Sequence, residues 1–129
     1  VGSVVLLPIG FMCIGAPFGE AIETAFNLSF IASMLNLEKL VLIYQPLDSV
    51  TKLSDLVCLR ELNVSGCRME DLKGISGFPA LEILNIEHTQ ISDLTPLKSL
   101  PKLKTVTVST VMLPLQLDSE AEYEVILVN

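Results

Sequence analysis

Apolar positions along this chain follow two rhythms that recur together. Beginning at Leu37 the sequence reads LEKLVL, at Leu59 LRELNV, at Leu81 LEILNI and at Leu103 LKTVTV, each start 22 residues after the one before. Stacking these units in phase aligns apolar columns: Leu40, Leu62, Leu84 and Val106, then Leu42, Val64, Ile86 and Val108. Further columns follow at Leu47, Met69 and Ile91, at Val50, Leu72 and Leu94, at Leu53, Ile75 and Leu97, and at Leu56, Phe78 and Leu100. Within one unit the L-x-L stretch alternates, which predicts a short strand with its leucines on one face. The later half, such as ISDLTPLKSL, spaces its apolar residues three apart and predicts a tight helical or 3₁₀-like segment. Asp93 is placed to cap that segment, with Pro96 tolerated in its first turn. No single unit can enclose a core, whereas stacked units bury a continuous one.

The repeat resembles the leucine-rich repeat family, whose pattern is L-x-x-L-x-L-x-x-N/C-x-L. The resemblance is strict over 37–102 and looser toward both ends. ISDLTPL after the strand is similar to the 22-residue class found in bacterial internalins and in a regulator of type-1 protein phosphatase. The resemblance implies an α/β solenoid, curved, with a parallel sheet on its concave side and helix, 3₁₀ and irregular segments on its convex side. Where the family usually has Asn, this chain has Gln45, Cys67 and Thr89; Cys and Thr are known variants that still donate a hydrogen bond into the turn.

The ends depart from the pattern, so the chain reads as one domain in three parts. Residues 1–36 form a longer, atypical repeat, 37–102 three regular repeats, and 103–129 a C-terminal repeat and cap. Ile9-x-x-Met12-x-Ile14 reproduces the strand signature and is preferred as the first strand over Val4–Leu7. Ile22, Ala25, Phe26, Phe30 and Met34 then suggest a helix over 21–35. Leu7-Pro8 is similar to Phe78-Pro79 and Leu100-Pro101 at the ends of complete repeats, so the chain is expected to be a fragment of a longer array. Tyr123 to Val128 alternates again and predicts a last strand at an edge.

Composition narrows the function. Eight Lys and Arg against 15 Asp and Glu give −7, with no basic residue in 1–36 or 105–129, which excludes a phosphate-tracking nucleic-acid binder and favours a basic partner surface. The first nineteen residues carry no charge. Gly2, Pro8, Gly10, Gly15, Pro17 and Gly19 break any helix there, so buried core is preferred to a signal or membrane segment. Uncovered, that apolar end is expected to drive self-association. Three cysteines, Cys13, Cys58 and Cys67, lack metal or disulfide spacing and read as reduced, mostly buried thiols. They point to an intracellular, cytoplasmic setting, with a secreted or surface location as the alternative.

Candidate chemistry is sparse. His88 stands alone beside Glu87, without a second His or a nucleophile, and reads as a solvated rim residue rather than a base or metal ligand. Gly15-x-x-x-Gly19 lacks the ending of a phosphate loop, and Gly66, Gly74 and Gly77 read as turn residues with positive φ. Glu70-Asp71 and the Glu122/Glu124 pair lack the setting of catalytic or calcium-binding carboxylates. No cofactor and no metal is expected, and the chain is read as a non-enzyme.

The informative residues are those the strands turn outward. The first column is Lys39, Glu61, Ile83 and Thr105; the second is Val41, Asn63, Asn85 and Thr107. The third is Ile43, Ser65, Glu87 and Ser109, with Tyr44 and His88 at the rim. Val41, Ile43 and Ile83 are β-branched aliphatics on an open face, which suggests a contact patch. The resulting expectation is a protein-interaction module binding another protein or domain through its concave strands. The alternatives are a structural or assembly segment of a larger complex, or a regulatory subunit of an enzyme.

Overall fold

A computed structural model describes residues 3–6, 12–14, 31–112 and 122–129. Its strands are β1 (Ser3–Leu6), β2 (Met12–Ile14), β3 (Lys39–Leu42), β4 (Glu61–Asn63), β5 (Ile83–Asn85), β6 (Thr105–Ser109) and β7 (Glu124–Val128). They form one sheet in the order β2-β1-β3-β4-β5-β6-β7, and every neighbouring pair except β1–β2 is parallel. The register carries the sequence repeat directly, since Leu40 faces Leu62, Leu62 faces Leu84 and Leu84 faces Val106. Chain order and spatial order coincide from β3 to β7. This is the stacked solenoid that a 22-residue apolar repeat demands.

The core consists of the predicted columns. Leu40, Leu62, Leu84 and Val106 are fully buried, as are Leu42, Val64, Ile86 and Val108. Leu53, Ile75 and Leu97, on the returning segments, close the core from the other side together with Leu56, Phe78 and Leu100. Those segments contain short 3₁₀ turns at Val50–Leu53, Ile75–Gly77 and Thr95–Ser99, as the three-residue spacing predicts. The N-cap of the third is Leu94, and Asp93, one residue before it, braces the turn by accepting from the Thr95 backbone N–H at 3.0 Å and the Thr95 hydroxyl at 2.7 Å. Ser49 caps the first through Thr51 N–H. Of the helix predicted over 21–35, residues 21–30 lie outside the described residues; the backbone is helical at 31–32, where Ile31 joins the core, and has left the helix over 33–35, short of the expected end.

The N-terminal register differs from expectation. Val4 lies opposite Leu40 and Leu6 opposite Leu42, so Ser3–Leu6 continues the parallel run, while Met12–Ile14 returns antiparallel against it. Both stretches fit the apolar pattern, so periodicity could not separate them. Connection length does: only residues 7–11 lie between β1 and β2. A parallel partner needs a crossover of about a dozen residues, and five suit a hairpin. Residue 4 to residue 40 is then the longer spacing. At the other end β7 pairs with β6 over five residues, as the alternation of 123–128 predicts.

Candidate functional site

Strand alternation sends one set of side chains into the core and leaves the other on an open face. The register sets that face in rows. Lys39, Glu61, Ile83, Thr105 and Glu124 are lateral neighbours, and so are Val41, Asn63, Asn85, Thr107 and Ile126. Lys39 and Ile83 are exposed, while Val41, Glu61, Asn63, Asn85, Thr105 and Thr107 are half-buried by their neighbours. Strand spacing of ~4.8 Å brings these rows into one contiguous surface.

The third column departs from expectation. Ile43 and Glu87 are half-buried and reach the face, but Ser65 and Ser109 are buried. β4 ends at Asn63, so the alternation stops before Ser65, whereas Ser109 is the last residue of β6 and breaks the alternation within the strand. Beyond the strands the chain bends across its neighbour. Tyr44 N–H donates to the Ser65 carbonyl, and Gly66 N–H donates to the Glu87 carbonyl, both at 2.8 Å. In the next step His88 N–H donates instead to the Ser109 hydroxyl at 3.1 Å. Ser65 and Ser109 thus hold the turn rather than face a partner.

Each of these turns needs a left-handed residue at the same repeat position. Tyr44, Gly66 and His88 have φ of 54°, 74° and 55°. Only glycine adopts that conformation without strain. Gly74 is also left-handed, whereas Gly77 is not among the positive-φ residues. Tyr44 and His88 occupy the predicted rim and are exposed. The Tyr44 ring lies over Gly66, where an added Cβ would come within 2.6 Å of it.

One position deeper, three different side chains each donate to a backbone carbonyl, though not to the equivalent one. Gln45, Cys67 and Thr89 are all buried. Gln45 Nε2 donates to the Ile43 carbonyl at 3.1 Å, Cys67 Sγ to the Leu42 carbonyl at 2.9 Å and Thr89 Oγ1 to the Ile86 carbonyl at 2.8 Å. Burial pushes the Cys67 thiol up, so it stays protonated and able to donate. Cys58, by contrast, is exposed and departs from the expectation of mostly buried thiols, while the burial of Cys13 lies outside what is described. Cys58 follows the core residue Leu56 on the returning segment, where the apolar column no longer constrains it.

Two polar features were not anticipated from the sequence. The first is a ladder of charges just before the strands, at positions 38, 60, 82 and 104. Arg60 Nε lies 2.7 Å from Glu82 and its Nη1 3.7 Å from Glu38, while Lys104 Nζ lies 2.8 Å from Glu82. Alternation of acid and base at intervals of 22 is its sequence signal. Lys104 first, and Arg60 second, hold the Glu82 carboxyl down at about 2. Beside the ladder Lys39 Nζ lies 3.4 Å from Glu61, so the cations bordering this end of the face are already matched to carboxylates.

The second feature is a pair of asparagine turns. Asn63 Oδ1 accepts from Ser65 N–H, and Asn85 Oδ1 from Glu87 N–H, both at 2.9 Å. Asn85 Nδ2 also donates to Glu87 Oε1 at 2.7 Å, which orients that carboxylate. Among the described residues no group of His, Cys, Asp and Glu is placed to hold a metal ion, and no helix is long and apolar enough to cross a membrane.

Residues 59–99 match a family model described as Leucine Rich repeats (2 copies). A search of curated proteins gives no match. The matched span covers β4, β5 and the returning segments after them, and the same register and buried columns continue into β3 and β6. Residues 59–99 thus carry two leucine-rich repeats, and the parallel sheet on either side of them has the solenoid arrangement of that repeat class.

Proposed function

We propose that this chain is a non-catalytic recognition module that binds another protein through the open face of its strands. Leucine-rich repeats generally mediate protein–protein interaction, which gives the class of function. One observation carries the assignment to this face: Ile83 sits in mid-sheet with 41% of its surface exposed, between half-buried Glu61 and Thr105 on the adjacent strands. An apolar side chain held open on a rigid platform suits a contact surface better than a solvated one. The free thiols of Cys58 and Cys67 fit an intracellular setting, which forms part of the proposal.

A photo-crosslinking amino acid placed at Ile83, and separately at Val57 on the returning side, tests this in cells that make the full-length protein. Both positions are exposed in the free chain. A discrete protein adduct from position 83 and none from position 57 supports the strand face. Adducts from 57 alone, or from neither, overturn it.

A further inference from the structure

Resting on the strand-face reading, we infer that the partner segment presents a Lys or Arg to Glu87 and an apolar side chain to Val41, Ile43 and Tyr44. Charge bookkeeping across the face carries the first half. Lys39 is matched to Glu61, Arg60 to Glu82 and Glu38, and Lys104 to Glu82. Glu87 has no cation within salt-bridge distance among the described residues; its one side-chain partner is the neutral amide of Asn85. That amide holds one carboxylate oxygen, while Asn85 Oδ1 is itself fixed by the Glu87 N–H. The carboxylate is therefore oriented before any partner arrives, and its charge is left unneutralised. An oriented carboxylate in a half-buried setting favours a charge-assisted hydrogen bond from an ammonium or guanidinium.

Geometry carries the second half. Two strands away, Val41 and Ile43 are half-buried and Tyr44 is exposed, making an apolar strip on β3 and its rim. Tyr44 is fixed there by its N–H bond to Ser65 and by the approach of its ring to Gly66. Between strip and carboxylate stands Asn63, whose Oδ1 is taken by the Ser65 N–H. Its Nδ2 has no partner among the described residues and is left as a donor for a main-chain carbonyl. Two strand spacings are ~10 Å, which an extended segment crosses in about two to four residues. The occupant is thus an extended protein segment lying across the strands, apolar residue over β3, carbonyl over β4 and basic residue over β5. The net charge of −7 adds long-range attraction for the same partner.

The test uses a display library of random twelve-residue peptides selected against the full chain, followed by titration of selected peptides against variants. Expected peptides carry Lys or Arg two to four residues from an aliphatic or aromatic residue. Glu87→Gln keeps the acceptor for Asn85 but removes the charge, and should weaken binding ~5-fold or more at low salt. Glu70→Gln, on an exposed turn away from this face, should leave it unchanged. Val41→Thr with Ile43→Thr should weaken it as well, each variant being checked for an unchanged unfolding midpoint. Binding lost in the Val41/Ile43 variant but untouched by Glu87→Gln overturns the cation while leaving the strand face standing. Peptides that ignore both sets of substitutions, or no selected peptide at all, overturn both.

Discussion

Replacing Gly66 by alanine perturbs the rim turn at one atom, and the geometry separates two costs. The first is conformational. Gly66 holds φ at +74°, and a left-handed backbone costs a residue with a Cβ ~1–2 kcal/mol. The second is steric, because the new Cβ would lie 2.6 Å from the Tyr44 ring, far inside van der Waals contact. Overpacking of this kind costs ~1–3 kcal/mol, and the exposed ring can relieve part of it by swinging toward solvent. Together these give ~2–4 kcal/mol for Gly66→Ala in the wild-type chain. In a Tyr44→Ala background the clash is gone and the backbone cost of ~1–2 kcal/mol remains. The coupling between the sites should therefore be ~1–2 kcal/mol, above the ~0.3–0.5 kcal/mol within which independent sites add. Urea denaturation followed by circular dichroism on the four proteins of the cycle measures it. A coupling below ~0.5 kcal/mol would show that the ring does not rest on Gly66. A stabilising Gly66→Ala, as expected where alanine fits without strain, would refute the left-handed turn itself.

Two further outcomes follow from the polar groups. The folded Glu82 carboxyl is held at about 2, below its ordinary value of 4.5, so its contribution is complete above pH 4.5 and is lost as pH falls toward 2. Glu82→Gln should flatten stability against pH across that window, read from unfolding midpoints at a series of pH values; an unchanged acid limb would remove the ladder from the account. Cys58 is exposed, while Cys67 is buried with its thiol pushed up. A thiol reagent on the native chain should therefore label Cys58 promptly and Cys67 only on unfolding, as followed by peptide mass, and equal rates would contradict the packing.

Legibility in the sequence tracked how many residues enforce each feature. The core columns were plain because burial repeats every 22 residues and a leucine in the wrong phase would face water. The outward rows of β3 to β6 followed from the same alternation. What failed lies where that enforcement stops. Past Asn63 the chain turns, so Ser65 escapes the period of two, whereas Ser109 still lies in β6 and is buried with its hydroxyl accepting from His88 N–H. The first strand was misassigned between two stretches of equal hydrophobicity, and loop length rather than pattern decided it. The ladder at 38, 60, 82 and 104 was readable in principle, since opposite charges alternate at the repeat interval. A period search confined to apolar residues passes over it. The left-handed turn was visible at Gly66, faintly signalled at His88, since histidine is enriched in that region, and hidden at Tyr44.

The solenoid separates the side chains that hold the chain together from those it leaves on its open face, and adjacent residues of one strand make that separation measurable. Leu84 points into the core with no exposed surface, and Ile83 beside it points outward with 41% exposed. Their backbone groups serve the same ladder, Leu84 opposite Leu62 and Val106, Ile83 opposite Glu61 and Thr105. Any difference between substitutions at the two positions therefore belongs to the side chains. Leu84→Ala removes buried methyl groups from a layer closed on both sides by neighbouring repeats, and should cost ~2–5 kcal/mol. Ile83→Thr keeps the β-branch that suits a strand and uncovers nothing, so it should stay within ~0.5 kcal/mol of wild type. The same Ile83→Thr chain should lose partner binding, because the apolar surface it removes is already open to contact. Paired unfolding and binding titrations decide the matter. A large stability loss from Ile83→Thr would mean that this side chain supports the fold, and the open face would then lose its claim to be a surface kept for recognition.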